Sequence, residues 1–199
     1  GNAEGLIVDE YRDFYQSAFF TVNGNVICAE CEDASTVSRV WLGWQQNDLV
    51  EYRQMDLASR ASIDRFVDEM KSKFNEKILV NNAGVSGFAN LTLNEDGIEM
   101  TMAVNHFVHF YLTAKLWSLL RNAKDLRIVN VSSRAQRQNR FSTVGIQFDF
   151  DDFDGRKGYK KIRQYSRFKQ ANVMFTEELT EVGKINPQAR VTTLHPGAV

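Results

Sequence analysis

The segment KILVNNAG, residues 77–84, passes abruptly from an apolar run to two amides and a glycine. The run ILV shows no polar alternation, and RIVNV at 127–131 has the same character. Strands that are apolar on both faces are typical of parallel sheets covered by helices on each side. The segment therefore predicts an interior parallel strand over 77–82, closed by NNAG at 81–84.

Strand-like and helix-like segments alternate on both sides of this strand, which predicts an α/β fold with a doubly wound parallel sheet. The length of 199 residues favours a single domain, 1–199. Further strands are predicted at 25–30, 49–54, 126–132 and 189–195. Helices are predicted near 34–45, at 61–74, at about 97–122 and around Tyr165.

The N-terminal residues leave two interpretations open. Apolar residues over 6–22 recur at helical spacing and predict a helix that ends at Asn23-Gly24. A hairpin around the same Asn-Gly pair is the competing interpretation. The 3.6-residue period before the pair favours the helix.

Composition excludes several classes of protein. Charged residues make up 25% of the chain and the net charge is -1, which does not suggest nucleic acid or an anionic membrane as partner. No apolar run approaches the roughly 20 residues that a membrane-spanning helix needs, and no signal peptide is recognisable. We expect an intracellular, cytoplasmic chain acting on a small molecule; an anchor outside this segment stays open.

Tyr165 and Lys169 lie four residues apart in the segment YSRFK. Residues at this spacing share one face of a helix, with Cβ atoms roughly 5–6 Å apart. A neighbouring cation favours the ionised form of a phenol, which suits general acid/base catalysis. Two amphipathic side chains on a solvated face would show the same spacing, so the pair alone does not decide.

Five ordered motifs point to one family: NNAG (81–84), MAVNHFVHFYLT (102–113), RIVNVSS (127–133), YSRFK (165–169) and LHPG (194–197). Together they resemble the short-chain dehydrogenase/reductase family. The segment FKQANVMFTEEL (168–179) resembles the branch that contains retinol dehydrogenases and WW-domain oxidoreductases. The resemblance implies a Rossmann-like fold and hydride transfer between NAD(P) and an apolar carbonyl or secondary alcohol, such as a retinoid, steroid or lipid.

The resemblance also implies residue roles. Tyr165 is expected as the general acid/base, and Lys169 as the cation that holds the ribose hydroxyls and stabilises the tyrosinate. Ser133 is expected to hydrogen-bond the substrate carbonyl, with capping of a strand as its alternative. Asn105 is expected to hold a proton-relaying water, with helix packing as its alternative.

Cofactor contacts are implied at further positions. Asp56 is expected against the adenine, with a turn-forming role as its alternative. The positions expected to bind cofactor are Gly1, Gly5, Glu30, Asp56, Asn82, Ala83, Gly84, Tyr165, Lys169, Pro196 and Gly197.

The sequence departs from the family pattern at both ends. The family's phosphate loop reads TGxxxGxG, whereas this chain opens GNAEGLI, with Ile7 in place of the third glycine. No strand precedes the loop, so the strands at 25–30 and 77–82 are expected to lack their shared central neighbour. These features predict a partial domain, either an internal piece of a longer chain or a decayed product. The alternative function is an inactive remnant that binds or dimerises through its helices.

Cofactor preference follows from the end of the second family strand. The related branch carries Cys-Arg-Asn there, where arginine pairs with a 2′-phosphate. This chain has Glu30, Cys31 and Glu32, followed by Asp33. An acid at this position suits the ribose diol of NAD, so NAD is favoured over NADP.

No metal site is expected. Cys28 and Cys31 have ligand spacing but no second pair, and His106 and His109 share a helical face without a third ligand nearby in sequence. We expect both histidines in the core or an interface. The acidic and aromatic segment 148–154 is expected to form a surface flap, with a substrate lid as the alternative.

Overall fold

The structure is a computed structural model that describes residues 14–15, 17–22, 25–30, 50–73, 78–85, 87–137, 149–183 and 188–196. The strands are β1 (Phe14–Tyr15), β2 (Ser17–Val22), β3 (Asn25–Glu30), β4 (Val50–Gln54), β5 (Ile78–Asn81), β6 (Gly84–Val85), β7 (Arg127–Val131) and β8 (Arg190–Leu194). The five strands predicted at 25–30, 49–54, 77–82, 126–132 and 189–195 are therefore confirmed as β3, β4, β5, β7 and β8. The helix predicted near 34–45 lies outside the described residues.

The helices are α1 (Arg60–Lys73), α2 (Met100–Met102), α3 (Val108–Leu120) and α4 (Lys161–Gly183). They confirm the helices predicted at 61–74, at 97–122 and around Tyr165. A π-helical turn, Ala103–Phe107, joins α2 to α3. The carboxylate of Glu99 caps α2, accepting from the backbone N–H groups of Thr101 and Met102 at 3.0 and 2.9 Å. Such a cap satisfies donors that have no partner inside the helix.

The main sheet has six strands in the order β4-β3-β2-β5-β7-β8. Strands β3 and β4 pair in parallel, as do β5 with β7 and β7 with β8. The expected fold class is confirmed, and three parallel strands, β5, β7 and β8, end along one edge of the sheet. A separate antiparallel pair joins β1 to β6, with Phe14 opposite Val85.

The predicted helix over 6–22 is wrong where the structure describes these residues. Residues 17–22 form β2, which pairs antiparallel with β3 and places Val22 opposite Asn25. The competing hairpin interpretation is therefore the correct one. The segment SAFFTV is rich in aromatic and β-branched residues, which suit a strand better than a helix. Pairing with two neighbours also satisfies the facing backbone groups of β3 and β5, which a helix over 17–22 would leave without a partner strand.

The expected gap at the centre of the sheet is also wrong. β2 lies between β3 and β5 and pairs with both, its residues 19–21 opposite 78–80. It occupies the position of the family's first strand but runs antiparallel to its neighbours. Unpaired edges of two interior strands are costly, and β2 removes both of them.

The hydrophobic core lies between the sheet and its helices. Helix α1 buries one stripe with helical spacing, formed by Ile63, Phe66, Val67 and Met70. Helix α3 contributes Leu112, Leu116 and Leu120 to the same cluster. Helix α4 packs against β7 and β8 and so carries its residues to the ends of those strands.

The described part of the acidic segment, 149–154, lies at the surface in part, with Phe150 60% exposed, but it is anchored at its centre. Asp152 is 2% exposed, and the backbone O of Phe153 accepts from the backbone N of Glu99 at 2.9 Å. The segment packs against the body of the protein because its central carboxylate has buried partners, which the aromatic and acidic alternation did not reveal.

Among the described residues, no helix has the length and apolar character needed to cross a bilayer.

Candidate active site

The Tyr165–Lys169 pair lies on the first half of α4, beside the carboxyl end of β7. The ammonium nitrogen of Lys169 donates to the backbone O of Val131 at 3.1 Å and lies 5.8 Å from the centroid of the Tyr165 ring. The two side chains share one helical face, as the spacing predicted. Lys169 is 7% exposed whereas Tyr165 is half-buried, so this pair is not on a solvated face.

Burial sets the electrostatic state of Lys169. Removal of its ammonium from water lowers the pKa from 10.5 to about 8. Desolvation disfavours the charged form of a lysine, which accounts for the direction. The Lys169 ammonium is therefore poorly solvated, and a further hydrogen-bond acceptor beside it would stabilise its charged form.

The two serines after β7 have different contacts. The hydroxyl of Ser132 is buried and donates to the backbone O of Lys169 at 2.8 Å. The hydroxyl of Ser133 is half-buried and accepts from the backbone N of Ala135 at 3.2 Å. The Ser132 hydroxyl thus links the end of β7 to α4. The Ser133 hydroxyl acts as an acceptor in its contact with Ala135, so its proton is available for donation. This division agrees with the expectation that the second serine meets substrate, and the role itself stays a prediction.

Asn105 lies in the π-helical turn, and its side chain brackets one residue of β6. Its Oδ1 accepts from Val85 N at 2.6 Å and its Nδ2 donates to Val85 O at 2.8 Å. A Cβ at Gly84 would approach Asn105 Oδ1 to 2.9 Å, so the bracket requires glycine there. These contacts support the packing alternative for the side chain, and the water-holding role stays a prediction.

Comparison with known proteins is consistent with this geometry. The family model of short chain dehydrogenases matches residues 18–145, more than half of the chain. The chain belongs to the short chain dehydrogenase family. The matched residues include β5, the π-helical turn and β7, which position Asn105 and the serine pair.

Relatives and solved structures agree with the family. The chain is 32% identical over 191 residues to a WW domain-containing oxidoreductase from Gallus gallus, covering 92% of this chain and 45% of that protein. It is 38% identical over 148 residues to retinol dehydrogenase 14 from Homo sapiens, covering 74% and 41% respectively. A crystal structure of an uncharacterised protein from Mycobacterium paratuberculosis superposes with a TM-score of 0.62 at 32% identity, covering 74% and 50%. The chain spans about half the length of these proteins or less.

Asn172 is a residue near the candidate site that the sequence motifs did not single out. Its Nδ2 donates to the backbone O of Asn105 at 3.1 Å and of Val131 at 3.4 Å. Its Oδ1 lies 2.9 Å from Nδ1 of His106. The amide therefore fastens α4 to the π-helical turn and to β7. Its position three residues after Lys169, on the same helical face, was the available signal.

A buried amide network crosses the sheet beneath the site. Asn81 on β5 and Asn130 on β7 stand opposite each other in register, with Asn81 Nδ2 donating to Asn130 Oδ1 at 2.7 Å. The outer contacts reach Thr113 on α3 and Thr176 on α4. The sequence places Asn81 at the end of a strand, but its pairing with Asn130 depends on the sheet register.

His109 is the most strongly perturbed histidine among the described residues. Its ring is buried, and within the described part of the chain neither ring nitrogen has a hydrogen-bond partner. Burial and, to a lesser degree, the nearby Lys169 cation lower its pKa to about 3. The expected core location is confirmed. No group of three metal-ligating side chains forms among the residues described.

Asp56 lies in the turn between β4 and α1, beside a polar cavity of about 470 Å³. Its Oδ1 accepts from Ala58 N at 2.8 Å, and its backbone N donates to Ser62 Oγ at 2.9 Å. The turn-forming interpretation is confirmed by these bonds. The adenine contact stays a prediction, and the cavity beside Asp56 is compatible with it.

The structure describes only some of the remaining positions that are expected to bind cofactor. Glu30 ends β3, Asn82 and Ala83 follow β5, Gly84 begins β6, and Pro196 follows β8. Gly1, Gly5, Ile7 and Gly197 lie outside the described residues. Of the residues expected in the site, the structure brings Asn105, the serine pair and Lys169 together around α4 and the end of β7.

Proposed function

We propose that the protein is an oxidoreductase that moves hydride between a nicotinamide dinucleotide and the carbonyl or secondary alcohol of a small molecule. One observation carries the proposal: the Tyr165 ring and the buried Lys169 ammonium share a face of α4 at the carboxyl end of β7. Ligands of open α/β sheets bind beyond that end of the strands.

The donor set of the site fits the cofactor's ribose. An ammonium has three protons, and among the described residues Lys169 Nζ donates to a single protein acceptor, Val131 O. Ribose hydroxyls would accept from the remaining protons and offset the desolvation that burial imposes. When bound, the cofactor supplies the hydride chemistry, and the protein supplies orientation and electrostatics.

The side chains then have distinct tasks. The hydroxyl of Tyr165 donates a proton to the substrate oxygen during reduction and accepts it during oxidation. The Lys169 cation stabilises the phenolate that donation leaves behind. The hydroxyl of Ser133 donates to the substrate oxygen, because its bond from the backbone N–H of Ala135 uses a lone pair and leaves the hydroxyl proton available.

Cofactor preference and substrate class are inferred from the end of β3 and from the relatives. Glu30 ends β3, and Glu32 and Asp33 follow in sequence, so a 2′-phosphate would meet like charge and NAD is preferred. An apolar substrate of retinoid, steroid or lipid type is favoured because relatives at 32–38% identity include retinol dehydrogenases.

A titration with NADH, followed by its fluorescence, tests the proposal. We expect saturable binding and slow turnover of all-trans-retinal as probe, with Tyr165→Phe retaining binding and losing turnover. Absence of saturable binding at millimolar NADH would overturn the proposal and favour the non-catalytic alternative.

A further inference from the structure

A buried ion pair fastens the segment 149–159, here called the strap, to α4. Arg167 Nη1 donates to Asp152 Oδ2 at 3.0 Å, and both side chains are 1% exposed. The same guanidinium donates to the backbone O of Asp149 at 2.9 Å and of Asp152 at 3.0 Å. Nη1 also donates to Gln164 Oε1 at 3.1 Å. One side chain of α4 thus binds two residues of the strap, Asp149 and Asp152.

The strap also contacts the cap of α2 and the π-helical turn that carries Asn105. Phe153 O accepts from Glu99 N at 2.9 Å, next to the cap of α2. The Phe153 ring packs edge-on against Phe107 in the π-helical turn, with centroids 5.3 Å apart. The hydroxyl of Tyr159 donates to Phe88 O at 2.8 Å. The strap therefore links α4 to the π-helical turn, the two elements that build the site.

Gly155 shows how closely the strap approaches both elements. Its φ is +71°, and an added Cβ would lie 2.9 Å from Gln164 Nε2 and 3.2 Å from Glu99 Cγ. A left-handed φ and this crowding both require glycine. The fit between strap and helices is close on both sides.

Helix geometry places Arg167 behind the site. Arg167 is two residues from both Tyr165 and Lys169, which corresponds to about 200° around the helix axis. The strap thus holds the face of α4 opposite to the one that presents the tyrosine and the lysine. A buried ion pair adds little net stability compared with apolar packing, but its directional bonds specify one arrangement.

We propose that Asp152 and Arg167 are a positioning pair, which fixes the rotation of α4 and so sets where Tyr165 and Lys169 point. The proposal rests on the proposed function for its consequence in catalysis. Neither residue is expected to touch substrate or cofactor.

The test combines a spectroscopic readout with kinetics. The chain contains 6 tyrosines, so labelling with 3-fluorotyrosine gives a small set of ¹⁹F resonances, of which Tyr165 is assigned by its loss in Tyr165→Phe. We expect Asp152→Asn to shift or split the Tyr165 resonance and to lower kcat at least tenfold, with the Kd for NADH changed less than threefold. Asp154→Asn is the matched control, since its pair with Arg156 lies on the same strap but is 40% and 67% exposed.

Arg167→Lys covers the case in which Asp152→Asn does not fold. Lysine keeps the charge but loses the forked contacts to the two strap carbonyls, so the Tyr165 resonance should again change. An unchanged Tyr165 resonance, with kcat within twofold in a folded variant, would make the pair purely structural and overturn the proposal. If the parent chain binds no NADH, the proposed function fails, and the resonance still decides whether the pair positions Tyr165.

Discussion

The ammonium nitrogen of Lys169 lies 5.8 Å from the centroid of the Tyr165 ring, one turn further along α4. This places a buried cation near the phenol ring, which supports the proposed role of Tyr165 as general acid/base. Replacing Tyr165 by phenylalanine removes only the hydroxyl and keeps the ring that packs edge-on against Phe168 at 4.9 Å.

We expect Tyr165→Phe to lower kcat by about 10²-fold or more, a typical contribution of a general acid/base group. Steady-state turnover with NADH and all-trans-retinal measures the effect. Tyr111→Phe is the matched control, because that hydroxyl donates to Asp64 on α1, away from α4. A Tyr165→Phe enzyme within threefold of the parent would remove the assignment.

Lys169 gives a pH-dependent prediction. Its folded pKa of about 8 lies below the ordinary 10.5, so between these values the unfolded chain binds a proton that the folded chain does not. The free energy of unfolding contributed by this group therefore rises with pH across that window and falls as pH drops towards 8. Urea unfolding at several pH values should show this slope in the parent and its loss in Lys169→Met.

The control for that experiment is Lys124→Met, which changes an exposed lysine just before β7. It should retain the slope of the parent. The same slope in Lys169→Met as in the parent would show that the ammonium is better solvated than its contacts indicate.

His109 predicts sensitivity to acid. Its folded pKa of about 3 lies below the ordinary 6.5, so stability from this group is lost as pH falls from about 6.5 towards 3. One proton corresponds to at most about 1.4 kcal/mol per pH unit. His109→Gln should flatten the fall in the free energy of unfolding over this range, whereas His195→Gln, at an exposed position, should not. Equal pH profiles for the parent and His109→Gln would contradict the burial of a neutral imidazole.

Gly84 gives a packing prediction. Gly84→Ala should lower the free energy of unfolding by about 1–3 kcal/mol, since the new Cβ would meet Asn105 Oδ1 at 2.9 Å. Chemical denaturation of Gly84→Ala, Asn105→Ala and the double variant forms a complete cycle. The cost of Gly84→Ala should be smaller in the Asn105→Ala background. Additive costs would mean that the two residues do not meet as described.

Cofactor preference is tested at Cys31, which lies outside the described residues. Cys31→Arg should shift the ratio of NAD to NADP affinity towards NADP, because arginine binds a 2′-phosphate in a forked, charge-assisted manner. Titration of both cofactors measures the ratio, and Cys31→Ser separates loss of the thiol from gain of the cation. An unchanged ratio in Cys31→Arg would place the ribose elsewhere.

Local pattern was enough to predict most elements of the fold. Runs such as ILV at 78–80 and RIVNV at 127–131 are apolar on both faces, so their strand character and parallel pairing follow from short-range information. The Tyr165–Lys169 spacing fixed their common helical face in the same way, since helix geometry depends only on neighbours along the chain.

The sequence by itself determined the alternation of strands and helices, the five family motifs and the shared face of Tyr165 and Lys169. Only the tertiary structure decided that residues 17–22 form the central strand, because a strand there pairs with the edges of both β3 and β5, whereas a helix would pair with neither. It also decided the bracket of Asn105 on Val85 and the burial of Asp152 against Arg167. These contacts join residues from different elements, and a period along the chain carries no information about which distant side chain will satisfy a buried polar group.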